Sequence, residues 1–349
     1  MVERINVEKK NYNALDLLKV VLITLVVAIH TGPLEYCENP LALRLYRVLT
    51  EMAVPCFFII SGFLLGIHLE EPFGAAGNGK YLYRYRNKML KMYLLGMVAY
   101  LPLAVWNYVK FHTGILKGIF LYLRGLLWLG RQYNSWQLWY LLGIVYTMCL
   151  LIFLWKKGKS LDSIIVCALT IRLVETALEL FLTEGQTLPG RLGSLAAKVD
   201  WALGGDNVLA AGFYFPIGVY LAKHPLSKGV SLTMALTGTA YGLLSGSGNT
   251  LAALGIVSSL TMVELKDRPI YPVLRKISTA VFLDHMYAYT LFYFVVYGRK
   301  TEGPAAFLGS WVLSVLGAMV YLLFEKWRKN RKETQNGAKT ASDPGHPVA

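Results

Sequence analysis

Three ionisable residues, Asp16, Lys19 and His30, stand in the first long apolar stretch of this 349-residue chain. Charged or titratable groups in a membrane-length apolar segment are costly, so each is a candidate for chemistry. Lys19 and His30 are eleven positions apart. On an α-helix that spacing puts them within about 20° of one face and roughly 16 Å apart along the axis. Thr31-Gly32-Pro33 follows and ends the helix, so His30 belongs at a helix mouth. An imidazole there is either a hydrogen-bonded interface residue or a general base working near neutral pH. Lys19 is either a lysine snorkelling to the interface or a second polar group on the same stripe. Asp284 and His285 fall in the middle of a late apolar stretch. They read either as structural partners or as groups that orient His30 or Lys19. Arg172, Glu175 and Glu179 have the spacings of a structural ion-pair ladder on one helix.

The elements that must position these residues follow from composition. The chain is 55% hydrophobic and 16% charged, where a soluble domain carries about 25% charged residues. That excludes a disordered chain, a collagen-like chain and a disulfide scaffold, and argues against a soluble enzyme. Ten stretches have the apolar character of membrane spans: 14–33, 48–67, 89–109, 136–155, 160–182, 206–222, 230–245, 248–264, 277–297 and 304–325. The sixth to eighth are short. Gly114 to Leu129 is apolar but basic at Lys117, Arg124 and Arg131, which predicts an interfacial or re-entrant helix. The first stretch has no small-residue cleavage site and reads as a retained span.

The fold expected is therefore all-α and integral to the membrane, a bundle of about ten transmembrane helices with both termini cytoplasmic. Residues 1–325 form the embedded domain, and 326–349 a basic tail without fixed structure. The net charge of +14 would suggest nucleic acid in a soluble protein. Here alternate loops carry it, at Arg84/Arg86/Lys88, Lys156/Lys157/Lys159, Lys223/Lys228, Lys266/Arg268/Arg275/Lys276 and Lys326–Lys332. That is the positive-inside pattern, and no nucleic acid partner is needed. The four cysteines show no metal-ligand spacing, so no metal site is expected. In the second stretch Pro55 suits a helix start, while Ser61 and Gly62 suit a close helix contact. Trp136 and Trp139 are explained by an aromatic belt, with sugar stacking as the sharper alternative.

Taken in order, these segments resemble the acyltransferase 3 family of integral-membrane acyltransferases. The resemblance rests on Lys19-x10-His30 and on Val54-Pro55-Cys56-Phe57-Phe58-Ile59-Ile60-Ser61-Gly62-Phe63, the most specific piece. Lys88-x-x-Lys91, Leu138-Trp139-Tyr140-Leu141 and Ser278 through Leu283-Asp284-His285 complete it. It covers about residues 12–325. The chain departs from the family in having Lys at 19, 88 and 91 where Arg is usual, and Gln137 where many members have His. Lysine keeps the charge and loses the bidentate fork. The first two segments are also similar to the membrane halves of membrane-bound serine racemases. About 24 residues follow the last stretch, so no racemase domain is expected.

The resemblance implies transfer of an acyl group, usually acetyl, from cytoplasmic acyl-CoA to a hydroxyl of a surface or lipid-linked glycan at the plasma membrane of a bacterium. It implies His30 as general base and Lys19 as a partner of the thioester carbonyl or the CoA phosphates. Arg84, Arg86, Lys88 and Lys91 become the basic mouth for CoA, or remain topology anchors. Asp16, Ser61, Asp284, His285, Gln137 and Trp139 become supporting residues. The competing implication, from the racemase likeness, is a transporter or sensor of a small amino acid.

Overall fold

The computed structural model describes residues 11–185, 187, 190–203 and 209–341, and every regular element among them is helical. In chain order these are α1 Asn13–Thr31, α2 Pro40–Gly66, α3 Asn78–Lys110, α4 Ile115–Arg124, α5 Trp139–Lys156 and α6 Leu161–Gly185. They are followed by α7 Arg191–Leu203, α8 Ala210–Lys223, α9 Lys228–Ser245, α10 Thr250–Thr261, α11 Ile270–Tyr297 and α12 Pro304–Ala341. A π-turn at Gly125–Leu129 continues α4, and a 3-10 turn at Trp136–Leu138 leads into α5.

Each of the ten expected spans coincides with a helix. Six segments are long and apolar enough to cross a bilayer: α1, α2, α3, α5 with its leading turn, α11, and α12 up to Arg331. The other four are less clear-cut for a physical reason. α6 carries Arg172, Glu175 and Glu179 in its middle. α8, α9 and α10 have 14, 18 and 12 residues, and a hydrocarbon core about 30 Å thick calls for about 20. The first residues of the expected 206–222 span, 206–208, lie outside the described residues.

Three details differ from the sequence expectation. α2 starts at Pro40, not near Pro55, because Asn39 Oδ1 accepts the Leu41 and Ala42 N–H groups at 3.0 and 3.1 Å. That is an N-cap followed by proline in the first turn, and it leaves Pro55 inside the helix. The stretch between the fifth and sixth expected spans, 183–205, contains α7. The tail from Lys326 continues α12 as helix to Ala341, and 342–349 lie outside the described residues.

α1 is central and packs against α2, α10, α11 and α12. α2 lies along α8, and their glycines set the approach. A Cβ on Gly62 would overlap the carbonyl oxygen of Phe215, and one on Gly218 would overlap that of Ile59. The expected packing face of the second span is thus a backbone-to-backbone contact. α12 ties back to α1 where Trp311 Nε1 donates to Thr24 Oγ1 at 3.2 Å. α12 turns Leu316, Val320, Leu323 and Phe324 outward, an apolar exterior suited to lipid.

Candidate functional site

The two ends of α1 each carry a polar cluster. At its N-terminal end Asp16 is buried, at 2% exposure, and holds two cations. Arg275 from α11 approaches with Nε at 3.1 and 3.2 Å from the two carboxylate oxygens and Nη2 at 2.6 Å from Oδ2. Lys19 Nζ donates to Oδ1 at 3.2 Å. An aspartate in the first turn also suits the positive end of the helix dipole. Lys88 of α3 is within electrostatic reach of Lys19. The cluster therefore has more positive than negative charge around one carboxylate.

Beside Arg275 an open cavity of about 260 Å³ is lined by Asn11, Asn13, Asp267 and Arg268. Asn13 Nδ2 donates to Asp267 Oδ1 at 2.6 Å, and Asn11 Nδ2 to Oδ2 at 3.0 Å. These two amides hold the Asp267 carboxyl below the usual carboxylate range.

At the other end of α1, the half-buried His30 lies between two rings. Its centroid is 5.3 Å from that of His285, stacked at 27°, and 5.8 Å from that of Trp136. His285 is buried, with Nδ1 at 2.9 Å from Val281 O and 3.1 Å from Phe282 O. Carbonyl oxygens only accept, so Nδ1 carries a proton and, in the neutral ring, Nε2 keeps a lone pair. Gly32, at φ +55°, ends α1 in the left-handed conformation that glycine favours. Gly303 N then donates to Thr31 O at 2.8 Å. This draws the 298–303 segment over the cluster, where Lys300 Nζ stands 5.0 Å from the Trp136 ring.

The arrangement has two chemical capacities on one stripe of α1. The first cluster can hold an anionic group. The second offers imidazole nitrogens to a group that must lose a proton. Roughly 16 Å of helix separates them.

The other expected residues fall in several places. Gln137 follows Trp136 in the turn before α5 and donates from Nε2 to Tyr100 OH at 2.9 Å. Ser61 pairs with Tyr140 OH at 2.8 Å, between α2 and α5. Trp139 packs on Phe58, with ring centroids 5.8 Å apart. Asp284 faces α12, since a Cβ on Gly317 would come within 2.8 Å of its Oδ2. Of the late pair, then, His285 reaches His30 and Asp284 turns away. Arg84, Lys88 and Lys91 are exposed on α3, and Arg86 donates to Asn87 Oδ1 at 2.9 Å. Arg172 and Glu175 form the expected pair at 2.7 Å.

Sequence reasoning missed Arg275 as a candidate site residue. For Arg275 a signal existed: like Lys19 before His30, it precedes His285 by about three helical turns. Trp136 reads from the sequence as a belt residue or a sugar-stacking ring, and its contact with His30 is purely tertiary.

Apolar, membrane-length helices gathered around a polar stripe define a helical membrane protein, with a candidate site along that stripe. The chain belongs to the acyltransferase 3 family: that family's model, described as an acyltransferase domain, matches residues 12–324, nearly the whole chain.

Among curated proteins it is similar to an amino-acid racemase of Enterococcus faecalis, 30% identical over 132 residues, covering 37% of this chain and 18% of the racemase. It is also similar to a serine/alanine racemase of Enterococcus gallinarum, 31% identical over 93 residues, covering 27% of this chain and 13% of that protein. The chain thus spans less than a fifth of the length of these relatives. No solved structure matches it.

Proposed function

We propose that the protein is a plasma-membrane O-acyltransferase. It takes an acyl group, acetyl in the usual family pattern, from cytoplasmic acyl-CoA and gives it to a hydroxyl of a surface or lipid-linked glycan. The observation that carries this reading is the pair of clusters at opposite ends of one stripe of α1. A donor with an anionic head and a distant thioester needs a cationic mouth and, further in, a base. Lys19, Arg275 and Lys88 suit the mouth, with Arg84, Arg86 and Lys91 on the approach. Lysine binds phosphate as a point charge, and Arg275 adds the fork that Lys19 lacks. The loop charges support ten spans with both termini and this mouth on the cytoplasmic side.

In the transfer, the acceptor oxygen bonds to the thioester carbonyl carbon and the carbon–sulfur bond breaks. His30 takes the hydroxyl proton and returns it to the departing sulfur, so the products are the ester and free CoA thiol. His285, stacked on His30, holds the ring in place. The test is thiol release from acetyl-CoA by protein in lipid. Replacing a general base typically costs 10²–10⁴-fold. His30→Ala should lower turnover by about that much while leaving membrane insertion intact, and retained turnover would sink the assignment.

The relatives' names support a second reading, a path for a small amino acid. No thioester turnover, together with stabilisation by free serine, would favour it.

A further inference from the structure

Three hydrogen-bond acceptors, one on His285 against His30 and two on the turn residues either side of Trp136, are buried without a partner: His285 Nε2, Asn134 Oδ1 and Gln137 Oε1. The three residues are 1%, 0% and 3% exposed. The opposite end of each side chain fixes which atom is left over. Asn134 Nδ2 donates to Thr290 Oγ1 at 2.9 Å and to Tyr293 OH at 2.8 Å. Thr290 gives its own proton to Met286 O at 2.6 Å. It must therefore accept from Asn134, and the amide cannot be turned over. Gln137 Nε2 donates to Tyr100 OH, which gives its proton to Leu283 O at 2.8 Å. The carbonyls of Val281 and Phe282 keep the proton of His285 on Nδ1. Each leftover atom is thus an acceptor by necessity. Asn134 and Gln137 flank Trp136, whose ring, like that of His285, lies against His30.

A buried acceptor left without a hydrogen bond is costly, so these atoms call for a guest that brings donors. The geometry points to a binding site for a polyhydroxylic group, held through its O–H donors by Asn134, Gln137 and His285. This rests on the acyl-transfer reading and names the residues that select its acceptor. An ammonium would also bring several donors. A buried ammonium, however, needs a counter-charge. All three acceptors are neutral, Asp284 faces α12, and the two carboxylates at the mouth, Glu302 paired with Lys300 at 3.1 Å and Glu35 beside Gly32, both reach solvent and lie outside the buried acceptors. Hydroxyls need no such partner.

The test is the unfolding midpoint of the protein in nanodiscs, without acyl-CoA. The probes are octyl glucoside below its micelle concentration, 1-octanol and L-serine. Octyl glucoside should raise the midpoint, and octanol and serine should not. Asn134→Leu and Gln137→Met should each weaken the octyl glucoside effect about tenfold in apparent affinity, the value of one lost hydrogen bond. Equal stabilisation by octanol or serine, no stabilisation by the glucoside, or an unchanged response in either folded variant overturns the site. If one variant does not fold the other decides, and if neither folds the wild-type discrimination decides. Because no donor is present, glucoside binding without thioester turnover would sink the acyl-transfer reading alone. Turnover without glucoside binding would sink this site alone.

Discussion

Asp16→Asn should destabilise the protein by about 3 kcal/mol, and adding Lys19→Met should recover most of that loss. The magnitude follows from who is left without a partner. Asp16 is 2% exposed and carries both cations. When it becomes neutral, Arg275, at 50% exposure, can turn to water, so its share is small. Lys19, at 16% exposure, stays within the bundle. Breaking a buried pair costs about 3–5 kcal/mol, mostly through the uncompensated charge left behind. Lys19 lies close enough to the helix end to snorkel part of the way, which selects the lower limit. The assay is a double-mutant cycle on unfolding midpoints of wild type, both single variants and the double variant in one lipid mixture. A neutral Asp16→Asn, or a double variant no more stable than that single variant, would refute the reasoning. Either result would mean that Lys19 is already solvated and is not held by the carboxylate.

Other perturbations have equally definite outcomes. Gly62→Ala should lower the unfolding midpoint, because the new Cβ meets the Phe215 backbone and α2 and α8 must part. Overpacking of this kind costs about 1–3 kcal/mol, and a wild-type midpoint would contradict the contact. His285→Phe keeps a ring against His30 and removes the lone pair. It should lower kcat while leaving KM for acetyl-CoA unchanged, whereas a parallel change in both would mark His285 as purely structural. Asp267 has its carboxyl held below the ordinary value of about 3.9. Its tie to Asn13 is therefore fully present above that pH and lost as pH falls through the lowered value. Hydrogen exchange at the start of α1 should be flat from pH 8 to 5 after correction for intrinsic rates, and should rise only below about 4. A rise near pH 6 would point to a different group.

The helices were legible because apolar length is a one-dimensional property. All ten expected spans fall on helices, and the basic apolar stretch from Gly114 became α4 with its π-turn. Their edges were less legible. α2 extends to Pro40 through a turn containing Arg44 and Arg47, which hydropathy alone assigns to a loop. α12 outruns its apolar part because charged residues also favour helix.

Within the candidate site, Lys19 and His30 share one stripe because α1 is a single element with a fixed period. Arg275, Trp136 and Asn134 joined them only through contacts between α1, α11 and the turn before α5. Asp284 shows the converse. Its position inside a span is conspicuous in the sequence, but the direction it faces depends on Gly317 of another helix.

The most direct test of the two-cluster path is a sidedness measurement in sealed vesicles with uniformly oriented protein. Radiolabelled acetyl-CoA is supplied only on the side of Lys19 and Arg275, and octyl glucoside only on the side of His30. The predicted result is free CoA thiol on the donor side and labelled acetyl ester on the opposite side, both lost in His30→Ala. Ester appearing only on the donor side, or equal yields from wild type and His30→Ala, would contradict a path running along α1.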